Sequence, residues 1–435
     1  VEWIPNKERY APEAPLMFPG GVQLQYRVRM VAGADGSPAL SAITVIYMDT
    51  TDGPTTTQAK RFTEFGLLTA QGMPKPPVIT RAGWGADESL RDWDPEYEPV
   101  TKIVVHHTVT TNAYTEDQSA QWVRSIYYYH AVSLGWGDIG YNYVIDRYGN
   151  VYEGRHGGPD IVGGHVYSYN YGSVGIALMG THGNMTTAQE PTSLALAALV
   201  SLSAWEASRS TIHPLEWAAF GEADTYNLAG HRDYPPNQTS CPGDLAYARL
   251  PAVRQAVWDR LVATIPRYQV DWLSWEAPGT DLEERTLKPN TTYTLLVRVR
   301  NKGTLAWASG GANPVRLGYR WLDANGSPVA MPPGLVHRAT LPVDTAFGHT
   351  VEFSEVRVTT PAAPGQYTLS WDLVHEGVTW FHEANVTSPR FELLFTVEGQ
   401  GPGENPVQNG GFEVDGHWVL YETPYPARYT TRVRH

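Results

Sequence analysis

Apolar and polar positions change rhythm along the chain, and each change marks a candidate domain edge. Val22–Met30 alternates apolar and polar side chains with the period of a half-buried strand, and Ile43–Met48 reads as a more buried one. Residues 1–72 are therefore expected to form a β-rich module, an incomplete one, because two or three strands are marginal alone. After Pro74–Pro77 the rhythm becomes mixed. Lys102–His106 predicts a strand running into a polar loop, and Gln118–Ser133 has helical spacing through Trp122 and Ile126. Tyr141–Ile145 and Ser173–Leu178 predict core strands. Leu194–Ala207 predicts a helix with Thr192 and Ser193 as N-cap candidates, and Pro251–Ala263 a closing helix with proline in its first turn. That order predicts an α/β domain over 76–265, a mixed sheet flanked by helices. From Pro266 to Val397 the helical signal vanishes. Thr292–Arg300, Val315–Trp321, Val351–Val358, Gln366–Leu373 and Phe391–Val397 predict strands, with a turn at Asn325-Gly326. A β-sandwich over 266–397 follows, then a linker and the start of a further β-module over 398–435.

Composition adds limits. A length of 435 residues suggests about three domains, and the hydrophobic share of 42% with 18% charged residues is that of a globular chain. The formal net charge of −13, with no Lys/Arg cluster, argues against nucleic acid or an anionic membrane surface as partner. No apolar run reaches the roughly 18–20 residues of a transmembrane segment. The first residue, Val1, and a strand-like ending read as those of a processed chain or a fragment.

The chain has one cysteine, Cys241, and 14 histidines. His106-His107 end an apolar strand, His231 follows Gly230, and Cys241 opens Cys241-Pro-Gly-Asp244. Imidazoles and a thiolate suit Zn²⁺, and three protein ligands leave a fourth position for water, as catalytic zinc requires. Spacing alone leaves these residues open to a purely structural reading.

The surrounding text resembles a known family. Arg81-Ala-Gly-Trp-Gly-Ala86, Ile103-Val-Val-His-His-Thr108 and Gly135-Trp-Gly-Asp-Ile-Gly-Tyr-Asn-Tyr-Val-Ile-Asp146 are similar to segments of peptidoglycan recognition proteins and type 2 N-acetylmuramoyl-L-alanine amidases. Tyr152-Glu-Gly-Arg155, Gly164-His165, Asn170, Gly230-His-Arg-Asp233 and Thr239-Ser-Cys-Pro-Gly243 continue the pattern in order. The resemblance implies one Zn²⁺ per chain held by His106, His231 and Cys241. His107 is then a neighbour facing the other way, since alternate strand residues point to opposite faces. It also implies Tyr141 beside the attacking water, and Thr239 at a position that carries Lys or Thr in the family. The His231–Cys241 spacing is longer than usual there, with Pro235-Pro236 in the extra length.

The reaction implied is zinc-dependent hydrolysis of the amide between N-acetylmuramic acid and L-alanine in bacterial peptidoglycan, with muropeptides as ligands, in a secreted or cell-wall-associated bacterial protein. His165, Asn170 and Arg155 are candidates for substrate binding, against a reading in which they hold loops and fold. His130, His156, His182 and His213 read as surface or structural. Arg298–Trp307 resembles immunoglobulin-like modules of secreted bacterial enzymes, and Trp321, Trp371 and Trp380 could offer a sugar-stacking platform to cell-wall glycans, against a reading as sandwich core. Two other functions compete: a non-catalytic peptidoglycan receptor, which needs no Cys241, and a wall-attached adhesion protein.

Overall fold

A computed structural model describes residues 50–64, 72–183, 186–277, 285–332 and 334–399. The strands expected at Val22–Met30 and Ile43–Met48 and the module start at 405–435 lie outside them.

The first elements are α1 (Thr56–Ala59), β1 (Thr63–Glu64), β2 (Val78–Ile79), α2 (Arg81–Trp84), β3 (Lys102–His107) and α3 (Ser119–Tyr128). Then come β4 (Tyr143–Ile145), β5 (Val151–Glu153), β6 (Ser173–Leu178) and α4 (Ser193–Ser210). A hairpin of β7 (Trp217–Phe220) and β8 (Ala223–Tyr226) precedes β9 (Leu228–Gly230), α5 (Asp244–Tyr247) and α6 (Leu250–Thr264). Seven strands form one mixed sheet in the order β1-β2-β5-β4-β6-β3-β9. β3 lies parallel to both β6 and β9, and all six of its residues are buried, as expected of a central strand covered on both faces. Ile103 and Val105 face a core shared with Leu199 and Leu202 of α4 and Val257 and Leu261 of α6. Val104 faces the other way, towards Val166, Tyr169 and Tyr234. His106 shares the parity of Val104, so it belongs to the face away from α4 and α6.

α4 starts where its cap dictates: Thr192 Oγ1 accepts the Ala195 N–H at 3.1 Å, and the helix stops at Thr211, whose φ is 53°. Thr192 also donates to Arg147 O, just beyond the C-terminal end of β4. The helix therefore begins over the C-terminal ends of the parallel strands and finishes over their N-terminal ends. No helix among the described residues is long and apolar enough to cross a membrane.

Among the described residues the C-terminal part is all-β apart from one helical turn. It contains β10 (Val270–Glu276), β11 (Thr286–Leu287), β12 (Thr292–Asn301), β13 (Val315–Leu322), β14 (Ala339–Thr340), β15 (Thr350–Thr359), β16 (Gly365–His375), β17 (Thr379–Trp380), α7 (Phe381–Ala384) and β18 (Phe391–Val397). One sheet runs β10-β12-β15, the other β11-β18-β16-β13-β14 with β17 on β16. Alternate residues of both, Val297 and Phe353 from the first and Leu317, Trp321, Trp371 and Phe395 from the second, share one core. For Trp321 and Trp371 that parity favours the sandwich-core reading over the sugar platform. Trp321 and Trp371 are each 1% exposed, and Trp321 Nε1 donates to Thr359 O inside the core. Trp380 lies under the guanidinium groups of Arg320 at 4.1 Å and Arg338 at 4.3 Å.

The two parts meet at a packed seam. Phe347, between β14 and β15, joins the α4–α6 core, its ring 5.9 Å from that of Trp258, on which His213 stacks at 4.2 Å. A Cβ on Gly348 would fall 2.1 Å from Thr211 O, so only glycine permits this approach. The seam lies at the N-terminal ends of the parallel strands.

Candidate metal centre

β3 delivers His106 at its C-terminal end, and its neighbour β9 ends at Gly230, so His231 follows in the adjacent strand position. The loop from His231 then returns Cys241 to the same place. Ligand atoms of His106, His231 and Cys241 all lie within 4.8 Å of one another. Cys241 Sγ is 3.6 Å from His106 Nδ1, and the rings of His106 and His231 are 4.7 Å apart. Cys241 is 4% exposed, and His231 Nε2 is buried without a protein partner.

The long loop is tied down by Arg232, a residue the sequence reading did not single out although it lies inside Gly230-His-Arg-Asp233. Its backbone N–H donates to Cys241 O at 2.9 Å, its guanidinium reaches Ser240 O and, at 2.7 Å, Asp244 Oδ1, and it stacks on Tyr247 at 4.6 Å. Asp233 accepts from Gly230 N and Tyr247 OH. Thr239 Oγ1 accepts the Cys241 N–H at 3.1 Å. Thus the hydroxyl at 239 braces the cysteine's own backbone.

Burial sets the charge state. Loss of solvent, then the nearby His231 and His165, hold His106 well below the usual imidazole range. Burial likewise lowers His231, against a hydrogen bond that its ring donates to Asn237, and pushes His165 down to about 3. Neutral imidazoles are the form that can donate a lone pair to a metal.

His107 turns to the opposite face, where its Nδ1 accepts the His182 N–H at 3.3 Å. The Tyr141 ring lies 5.3 Å from the His106 ring and 5.3 Å from His130, with its hydroxyl 3.4 Å from His107 O. His130 is 4% exposed and takes the Gly140 N–H on Nδ1 at 3.1 Å, so it is a buried prop behind Tyr141. His165 is 6% exposed and meets His106 Nε2 with its Nδ1 at 3.0 Å. Asn170 Oδ1 accepts from the backbone N–H of His165 and Val166. Arg155 is 2% exposed, its guanidinium 4.2 Å from the Trp93 ring and 3.3 Å from Ile139 O. The structure therefore gathers His106, His231, Cys241, Tyr141, Thr239 and His165 around one point, with Asn170 and Arg155 behind it.

Comparison with known proteins identifies the same region. The family described as N-acetylmuramoyl-L-alanine amidase matches residues 96–244. Peptidoglycan-recognition protein SC2 of Drosophila simulans is 32% identical over 177 residues, covering 41% of this chain and 86% of that protein. Peptidoglycan recognition protein 1 of Bos taurus is 33% identical over 176 residues, 39% of this chain and 80% of its own length. The human N-acetylmuramoyl-L-alanine amidase is 32% identical over 192 residues, 44% of this chain and 30% of its own. With most of the length of two such proteins matched across the domain that holds the cluster, the chain belongs to the family of peptidoglycan recognition proteins and N-acetylmuramoyl-L-alanine amidases.

Proposed function

We propose that this chain is a zinc-dependent N-acetylmuramoyl-L-alanine amidase, and the observation that carries the reading is the convergence of His106, His231 and Cys241. Two neutral imidazoles and one thiol, with a buried unpartnered nitrogen on His231, are a donor set of the kind zinc takes, and the set fits the ion in number and chemistry. When bound, zinc would act as a Lewis acid, polarising the scissile carbonyl and making water nucleophilic at neutral pH. The chain's residues supply the remainder. Tyr141, its ring against His106 and His130 and its hydroxyl at His107 O, is the residue assigned to donate to the developing oxyanion or the attacking water. The reaction breaks the C–N bond, leaving a carboxylate on the muramic acid and a free amine on alanine. Thr239 and Arg232 keep the Cys241 loop in place. Having Thr rather than Lys at 239 leaves no cationic side chain at that position.

The substrate class follows from the family and is peptidoglycan or its muropeptides, so the site of action is outside the cell that secretes the protein, free or at the wall. The C-terminal module is read as immunoglobulin-like, in keeping with two sheets around one core. A non-catalytic receptor on the same fold has no need of the thiol. Metal analysis of the purified chain, with mass spectrometry of muropeptides before and after digestion, tests the proposal. Expected are zinc near one equivalent, release of free stem peptides, and loss of both in Cys241→Ser. Full zinc and turnover in Cys241→Ser would end it, and zinc without release would favour the receptor.

A further inference from the structure

His165, which the sequence leaves open between a ligand-facing and a loop-holding reading, is nearly enclosed, and its contacts run in one direction. The Nδ1 of its ring is 3.0 Å from His106 Nε2, and its Nε2 is 3.4 Å from Ser173 Oγ. Ser173 Oγ in turn donates to Tyr169 O and to Asn170 O at 3.2 Å. The polarity of this chain can be read from its far end. A backbone carbonyl only accepts, so the Ser173 hydroxyl spends its proton there and offers a lone pair to His165 Nε2–H. His165 is then bare at Nδ1 and accepts from His106 Nε2–H. His106 is left with a bare Nδ1, the atom 3.6 Å from Cys241 Sγ. One tautomer of each histidine satisfies every partner.

Space fixes the ring as firmly as the hydrogen bonds do. Gly175 sits on β6 opposite Val104 of β3, on the sheet face that also carries His106. A Cβ at Gly175 would lie 2.4 Å from His165 Cγ, and one at Gly163 would lie 2.5 Å from His165 Cδ2. Neither glycine has a positive φ, so what both positions require is room. The side chain missing from β6 is the volume that the imidazole fills.

We infer that His165 is a positioning residue: clamped between Gly163 and Gly175 and oriented by Ser173, it holds His106 in the tautomer and rotation that turn Nδ1 to the His231–Cys241 cluster. This rests on the zinc reading above, and it goes beyond it by assigning the second layer of the site. Metal-ligating histidines depend on the partner of their other nitrogen, and loss of such a partner costs about 10- to 100-fold in metal affinity.

The test is zinc affinity of the full chain, by competition with a chromophoric chelator, alongside the thermal midpoint of each metal-free protein. His165→Phe, which keeps bulk and removes the acceptor, is expected to weaken zinc about 10- to 100-fold. His165→Gln, whose amide oxygen can accept from His106, is expected to recover much of that loss, which a purely space-filling role would not give. Ser173→Ala and Gly175→Ala should weaken zinc without altering any ligand. If His165→Phe does not fold, Ser173→Ala decides. Parental zinc affinity in a folded His165→Phe, or in Ser173→Ala where that variant decides, overturns the inference while leaving the zinc reading intact. A parent that binds no zinc overturns both.

Discussion

Asn170 Oδ1 takes two consecutive backbone N–H groups, His165 at 2.8 Å and Val166 at 2.9 Å. Removing it strands both donors in a partly buried loop, at about 1–3 kcal/mol for an unsatisfied buried group. Asn170→Ala should therefore lower the urea midpoint, and Asn170→Asp, which keeps the acceptor, should stay closer to the parent; equal midpoints for all three would show the loop is held by other means. Tyr141→Phe acts differently, because the ring that packs on His106 and His130 is retained. On the proposed function it should reduce kcat by about 10²- to 10³-fold, the effect of losing one oxyanion donor, with KM, zinc content and thermal midpoint nearly unchanged. Unaltered kcat would leave Tyr141 as packing alone. At this scale the sequence disclosed residue types that suit a metal, and the likeness to a family put them in order. It did not disclose that His165 stands behind His106, because that contact depends on a gap at Gly175 in another strand, which no local pattern announces.

Elements were legible where a single period ran unbroken. β12, β13, β15, β16, β18 and α6 lie within a residue or two of their expected bounds, and α4 runs three residues past its expected end at Ala207. β10 was missed since its pairing with β12 shifts register between Trp272 and Ser274, and this irregularity breaks the two-residue alternation. The strand expected from Tyr141 begins at Tyr143 instead. The backbone still pairs ahead of it: Tyr141 O accepts the Arg155 N–H at 2.8 Å, and a Cβ on Gly154 would lie 2.2 Å from Tyr141 O, so glycine permits this close approach beside the metal centre. α7 was also unexpected, and it has an electrostatic effect. It covers Asp372, whose Oδ2 accepts the His382 N–H at 3.1 Å while Oδ1 has no partner. Burial pushes this carboxyl up to about 6 from its ordinary 3.8. Between those values the folded state holds a proton that the unfolded state has released, so stability falls as pH rises through the window and the loss is complete above it. Asp372→Asn should flatten that slope and be the more stable protein at pH 7, as urea midpoints at pH 4, 5.5 and 7 would show. Parallel pH profiles for the two proteins would remove Asp372 from the account.

At the scale of the whole molecule, the residues before Pro74 matter to the α/β part. Thr56 Oγ1 accepts the Ala120 N–H at the start of α3 at 2.9 Å and the Tyr152 hydroxyl at 3.0 Å, and Arg124 reaches Pro54 O at 3.0 Å. β1 pairs with β2 at the sheet edge. The sequence placed a boundary near residue 76 because the rhythm changes there, and rhythm says nothing about long-range hydrogen bonds. A fragment of residues 50–265 should consequently melt higher than one of residues 76–265, by on the order of 5 °C given two or three buried polar groups left unpaired. Coincident melting would show that the leading segment contributes nothing.

The solitary Cys241 gives the molecule a built-in clock. It is 4% exposed, closes the loop that Arg232 fastens, and is the one cysteine of the sequence. An alkylating reagent can therefore mark each molecule once at cysteine, and only after that loop has lifted. In the metal-free protein the intact mass then divides a sample into copies whose thiol has become accessible and copies whose thiol has not, and where alkylation outpaces reclosing the rate of conversion is the rate of opening. Any disulfide that forms must join two molecules, so a covalent dimer under oxidation records encounters between open loops.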